Sequence, residues 1–209
     1  MKLGQIKLEA ILLMYPDANV KFDDTDDESI NRAVFELKCD SNFEGLLEAT
    51  VGSINRALSQ IEAHGLTCQR LINIPKEECE IISGDKVKIP LCKDFLRLQG
   101  LFYKNGNSFF DCECQVFDNC IITKSLNADY LMTYLASAQR INRKTSDSYE
   151  LLLPKGVCEA IPYFVKSDLY AAENEREAQR AKEIFDGMIR DIKDSLHLVN
   201  CEIKTVYTI

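Results

Sequence analysis

The sequence predicts an α+β protein: a helical domain of long helices and a C-terminal helical hairpin, with an inserted small antiparallel β-sandwich or barrel and a C-terminal strand. Three observations carry this prediction. A single apolar stripe at helical spacing runs from Phe43 to Ile61, the pattern turns to short alternating runs from Leu66, and the helical period returns after Pro154. The implied organisation is an N-terminal helical part over 1–65, a β insert over 66–153, a helical hairpin over 154–197 packing on 1–65, and a strand or tail over 198–209.

The first helix is expected over 3–14, where Leu3, Ile6, Ala10 and Leu13 share a stripe that Leu8, Ile11 and Leu12 widen, and Pro16 with Asp17 ends it. It reads as a short docking helix. The acidic stretch DDTDDES, residues 23–29, reads as a solvated loop, since it lacks the ligand spacing and central glycine of a calcium loop. Residues 30–37 are too weakly patterned to assign. Over 41–65, Ser41 or Asn42 is placed to cap, Leu46, Leu47, Val51, Ile54 and Leu58 continue the stripe, and Gly65 supplies the stop.

Turn residues in SGDK, KNGNS, FDN and SLNAD then separate runs rich in Ile, Val, Phe, Tyr and Thr. The expected strands are 68–74, 80–82, 86–89, 98–103, 108–117, 121–123 and 130–135. Strands this short bury enough surface only as a sandwich or curled barrel. In KNGNS, Asn105 and Gly106 are expected at positive φ.

Pro154 opens a helix whose apolar face is Val157, Ile161, Phe164, Val165 and Leu169, with Pro162 about two turns in. A proline there removes a backbone donor and crowds the preceding turn, which predicts a kink. A second helix carries Ala178, Ala181, Ile184, Phe185, Met188, Ile189 and Ile192, and a short polar connection makes the two an antiparallel hairpin. The final stretch alternates again and is rich in β-branched residues, which predicts a strand.

Composition excludes several classes. The chain of 209 residues is 46% hydrophobic, with no apolar run long enough to span a membrane, and charged Lys7 and Glu9 interrupt the only candidate leader. That predicts a soluble protein made in a cytoplasm. A formal charge of -8 argues against a surface that grips phosphate backbones. The nine cysteines are odd in number and form no Cys-x-x-Cys pair, so reduced structural thiols are expected in place of a disulfide frame or zinc site. The closest cluster, Cys112, Cys114 and Cys120, has only His64 and His197 to complete a metal site. Both histidines read as helix-end residues, and no phosphate loop, dinucleotide motif or nucleophile motif is present. No cofactor, metal or catalytic residue is expected.

Three stretches taken in order, KIPLCKDFLRLQGLFY, YLMTYLA and LLLPKGVCEAIPYFVKSDLYAAENEREAQRAKEIFDGMI, resemble the head-to-tail adaptor (connector) proteins of tailed bacteriophages and prophages. The resemblance covers residues 86–192, and in general layout the amino-terminal helices. It implies a non-enzymatic virion part: a homo-oligomeric ring, commonly of twelve copies, set beneath the portal protein and joined below by a tail or stopper protein. In such a ring the kinked helix belongs to the wall, where each subunit packs on its neighbours. The ring extends the channel through which double-stranded DNA leaves the head. DNA passes without specific binding, and an acidic wall repels phosphates and lets it slide. No membrane partner is implied. The expected assembly or docking residues lie on the terminal strand: Val199, Cys201, Ile203, Val206, Tyr207 and Ile209. Such a strand can pair with its own β unit, a neighbouring subunit or the portal, and an assembly role is favoured because a helical domain does not need it for its core. Two other classes compete: a small soluble ligand- or peptide-binding regulatory module, and a metal-dependent enzyme using the Cys112 to Cys120 cluster.

Overall fold

A computed structural model describes residues 1–18, 20–106 and 108–206, with the backbone alone for Ser83 and for 196–206. The architecture is α+β, and the chain divides into two compact units. One is helical and discontinuous, formed by Met1–Leu66 and the chain from Ala138 onward; the other is the β unit Thr67–Ser137.

The helical unit holds α1 (Leu3–Met14), α2 (Asp27–Cys39), α3 (Glu44–Ala63), α4 (Lys155–Tyr170) and α5 (Glu175–Val206). Its centre is α1, which is more than the docking helix its stripe suggests. Leu3, Ile6 and Ala10 join a core with α3, α4 and α5, whereas Leu8, Ile11 and Met14 join a second core with α2 and Leu47. A helix apolar on both sides is one that is buried on both sides.

The unassigned residues 30–37 are the body of α2, which buries Ile30, Ala33, Val34 and Leu37 at helical spacing. The acidic stretch before them is capping machinery and not merely a solvated loop. Asp26 accepts hydrogen bonds from the backbone N–H groups of Glu28 and Ser29, and Asp27 and Glu28 lie in the first turn, where the helix dipole favours negative charge. Asp23 accepts from the backbone and hydroxyl of Thr25, which holds its carboxyl below the ordinary value. Neither Ser41 nor Asn42 caps α3; Phe43 stands at the N-cap, and the turn before it is closed by Asp40. Gly65 ends the helix as expected, at φ 72°, with Leu66 N–H donating to the carbonyl of Ile61.

Helices α4 and α5 form the expected hairpin, and Phe164 and Phe185 meet edge to face with ring centroids 5.1 Å apart. Pro162 is buried inside α4 and cannot donate to the carbonyl of Cys158, four residues back. The C-terminal strand predicted over 198–209 is not a strand: α5 continues through Val206, and Tyr207, Thr208 and Ile209 lie outside the described residues. Val199, Ile203 and Val206 recur at spacings of four and three, so the apolar positions that alternate also fit a helical period. With no turn residue to stop it, the helix propagates. His197 accordingly lies within α5 and not at a helix end.

The β unit is a two-sheet sandwich. One sheet has the order β1 (Gln69–Ile74), β8 (Tyr130–Ala136), β4 (Phe95–Asn105), β5 (Ser108–Asp111); the other has β2 (Glu80–Ser83), β3 (Lys86–Pro90), β7 (Cys120–Lys124), β6 (Cys114–Val116). All pairings are antiparallel. The core between them is Ile74, Val87, Ile89, Leu101, Ile121, Tyr130, Met132, Tyr134 and Ala136. The predicted single strand over 108–117 is in fact two, because the chain changes sheets at Cys112 and Glu113, where Cys112 N–H donates to the carbonyl of Leu101 and its Sγ lies 2.9 Å from Thr123 Oγ1. At the β4–β5 turn Gly106 has positive φ, 61°, but Asn105 does not; Asn127, in the β7–β8 connection, does.

The β unit closes at Ser137, earlier than the predicted 153. The segment 138–153 belongs to the helical unit because it is tied to α3 and α1. Asn55 both donates to the carbonyl and accepts from the N–H of Ile141, and Glu62 accepts from Ala138 N–H and pairs with Arg140. Leu3 and Gly4 N–H groups donate to the carbonyls of Tyr149 and Asp147, so the orphan donors at the start of α1 are satisfied by this returning chain.

Candidate assembly surfaces

The residues singled out in the terminal segment are not brought together on a strand. Val199, Cys201, Ile203 and Val206 lie on the backbone of α5, and Tyr207 and Ile209 fall outside the described residues. What can be placed is where α5 leaves its partner. Helix α4 begins at Lys155, and a Cβ on Gly156 would sit 3.4 Å from Ile192 Cδ1, so the hairpin contact reaches the start of α4 at Ile192. The last four turns of α5 run beyond that point.

The more consequential surface is one the sequence reading passed over. Six large apolar side chains stand exposed on the edge strands of the sandwich: Leu71 on β1 and Ile81 and Ile82 on β2, then Phe109 and Phe110 on β5 and Val116 on β6. Phe117, just past β6, is exposed as well. The two groups lie on opposite sides of the sandwich, because β1 and β2 end one side of the two sheets and β5 and β6 end the other. Three of the six are in register with residues of the core or packed against it. Ile81 pairs with Val87, Val116 with Ile121, and Phe110 with Tyr103, on which its ring stacks at 5.5 Å. The core layer therefore runs out to both edges without being closed there. A signal for this was present: Ile81-Ile82, Phe109-Phe110 and Val116-Phe117 are adjacent apolar pairs, and adjacent residues of a strand point to opposite faces, so one of each pair is left outside any two-layer core.

A second concave feature lies within the helical unit. A groove of about 470 Å³ between α1, α4 and α5 is lined by Leu12, Leu13, Pro162, Tyr163 and Met188, with Glu9 and Glu159 at its rim. Burial, with Asp24 and Glu159 nearby, pushes the Glu9 carboxyl up against the lowering effect of a hydrogen bond from Gln5. Among the described residues Glu9 has no ion-pair partner, while Glu159 is 3.7 Å from Lys155.

Nothing else in the described residues gathers chemistry. No group of three or more His, Cys, Asp or Glu is placed to hold a metal ion, and Cys112, Cys114 and Cys120 do not form one. Burial pushes the thiols of Cys79 and Cys114 up, the opposite of what a nucleophilic or redox-active thiol needs. Tyr134, buried and hydrogen-bonded to Asp94, has its phenol pushed well above the ordinary value by burial and by the neighbouring Cys92 and Asp94. Asp94 also holds Arg70 at 2.9 Å, which makes this a structural network joining β1, β8 and the β3–β4 connection. His64 closes α3 through its backbone N–H, which donates to the carbonyl of Gln60, while Gly65 N–H donates to that of Glu62. No described helix is long and apolar enough to cross a membrane. Compared with known proteins, the chain matches no family model and no curated protein at a significant level.

Proposed function

We propose that the chain is a non-enzymatic structural protein of a phage or prophage virion, a head-to-tail adaptor. It assembles as a ring beneath the portal, meets a tail or stopper protein on its far side, and extends the channel through which double-stranded DNA passes. The observation that carries this reading is the order of parts: helices, a contiguous β unit, and then a helical pair that returns to pack on α1 and α3. That order is the one implied by the resemblance over 86–192. Two further features support it. The helical unit carries nearly all of the excess negative charge, which suits a wall that DNA must slide past. The β unit leaves apolar edges open, as an assembling part does and an isolated domain avoids.

A second reading is favoured by the groove between α1, α4 and α5, whose apolar walls and acidic rim fit a peptide segment carrying a basic residue between apolar ones. It makes the chain a small binding module without catalytic activity. Electron microscopy of the purified full chain, alone and after co-expression with a portal protein encoded beside it, separates the two. Closed rings with a central channel, or capture on a portal ring, support the adaptor; a monomer that ignores the portal overturns it.

A further inference from the structure

We infer that the last turns of α5 of one copy dock, as a helix, in the groove between α1, α4 and α5 of a second copy. The contact is argued from the helical unit alone and rests on the adaptor reading only for the closure of such contacts into a ring.

The groove is a cradle made by three helices. Helices α1 and α5 each pack along α4 and much less on each other, so α4 supplies the floor with Glu159, Pro162 and Tyr163. Glu9 and Leu12 of α1 form one wall, and Met188 of α5 the other. A channel with apolar walls between helices takes a further helix by apolar anchors three and four positions apart.

The acids of this cradle are poorly matched by cations. Glu9 is half-buried, accepts a hydrogen bond from Gln5 at 3.0 Å, and has no ion-pair partner among the described residues. Glu159 has Lys155 at 3.7 Å, but that lysine is 88% exposed. The other lysines on these helix faces are engaged elsewhere: Lys2, seven positions before Glu9, pairs with Asp27, and Lys166, seven after Glu159, pairs with Glu177. On α5, Asp191 lies one turn from Met188 and adds a further carboxylate.

The end of α5 has the complementary pattern. Beyond Ile192 the helix runs on over residues 193–206, about 21 Å at 1.5 Å per residue. By helical spacing Leu196, Val199, Ile203 and Val206 fall on one face, in line with Phe185, Ile189 and Ile192 of the hairpin. One border of that face is basic, with Lys193, His197 and Lys204 recurring four and seven positions apart, and the other border carries the single acid Glu202. Asp194 falls away from both borders. An apolar stripe bordered by cations fits apolar walls bordered by carboxylates. The chain's own tail cannot fill its own groove, because Met188 and the tail belong to one helix and Val199 lies about 16 Å further along its axis. The tail that fits is therefore a second copy's.

The test uses the full chain and two charge-reversed variants: Glu9→Lys with Glu159→Lys in the groove, and Lys193→Glu with Lys204→Glu in the tail. Sedimentation velocity over a wide concentration range is expected to show wild-type association. Each variant alone should need at least about tenfold more protein to associate. A chain carrying all four substitutions should recover association, since the charges are exchanged and not lost. Circular dichroism checks that every variant folds. As a measurement that needs no variant, amide hydrogen exchange over residues 199–206 of the wild type should slow as concentration rises. A wild type that stays monomeric at every concentration overturns the inference. So does a groove variant that associates like wild type while the tail variant does not, because the tail then docks elsewhere, and so does a fourfold variant that fails to recover. Rings that form regardless of the variants sink the docking contact and leave the adaptor reading standing. Pairs that exchange tails and are abolished by the variants, with no capture on a portal, do the reverse.

Discussion

Lys7 Nζ donates to Asp147 Oδ1 at 2.7 Å, while the other carboxylate oxygen accepts from Lys38 at 2.9 Å. One aspartate on the segment returning from the β unit thus clamps α1 and α2 together. Lys7 is buried, so its charge depends on this partner. Asp147→Asn is expected to cost about 3 kcal/mol, because it leaves a buried ammonium uncompensated. Urea unfolding of the two proteins at neutral pH measures it.

The same pair sets a pH dependence. Burial raises the Asp147 carboxyl, but the hydrogen bonds and charges of Lys7 and Lys38 outweigh it and hold the folded value below the ordinary one. A carboxyl depressed on folding contributes its full stability above the unfolded value, about 3.9, and loses it as pH falls through the lower folded value. The stability gap between wild type and Asp147→Asn should therefore be constant from pH 7 to about 5 and narrow below about 4. A gap that widens on acidification contradicts the assignment.

Gly4 is the point where α1 meets both α2 and the returning chain. A Cβ there would lie 2.8 Å from Ile30 Cγ2 and 3.1 Å from the Asp147 carbonyl oxygen, and the second of these is backbone that cannot swing aside. Gly4→Ala should destabilise by about 1 to 3 kcal/mol despite alanine's better helix propensity. A thermal midpoint at or above that of the wild type shows that the contact has room to give.

Phe185 is fully buried between α4 and α5, against Phe164. Its truncation to alanine removes that contact and leaves a cavity, with an expected loss of about 3 to 5 kcal/mol. A measured loss under about 1 kcal/mol means that the hairpin repacks around the gap.

Deleting residues 199–209 should leave the helical unit cooperative and lower its stability by less than about 1 kcal/mol, since α4 already begins opposite Ile192. Loss of cooperative unfolding in the truncated chain contradicts this. The result also asks what the terminal turns of α5 are for, because full folding with failed assembly returns them to the assembly role that Val199, Cys201, Ile203 and Val206 suggested.

Much of the architecture was legible because its signals are local. The stripe from Leu47 to Ile61, the stop at Gly65 and the alternating runs between turn residues each need only a few neighbouring positions to be read. Failures came where two periods coexist or where the decisive partner is distant. The α5 terminus satisfies both a twofold and a helical spacing, and only the absence of a stop decides between them. Helix α2 is capped by Asp26, whose acidic neighbours looked like a solvated run. The tie of 138–153 to Asn55 and Glu62 joins residues more than seventy positions apart, which no local pattern reveals. The open edges were readable in principle from adjacent apolar pairs, but which strands form edges follows from topology alone.

The insertion of the β unit into a discontinuous helical unit has a consequence for synthesis on the ribosome. Thr67–Ser137 is a single stretch whose ends are already neighbours, with Gln69 paired to Leu135 and Ala136 N–H donating to the carbonyl of Cys68, so it can fold as soon as it emerges. Helices α1 to α3 emerge first, and the core that Leu8 and Ile11 share with α2 and Leu47 is within their reach at once, but the core that Leu3, Ile6 and Leu58 share with Val157, Ile161 and Phe185 is incomplete until α5 has been made. Folding of the insert shortens that wait in space if not in time: pairing β1 with β8 brings the two flanks together and spares the helices a long loop closure. The unit whose helices are made first is thus the last whose core can be completed.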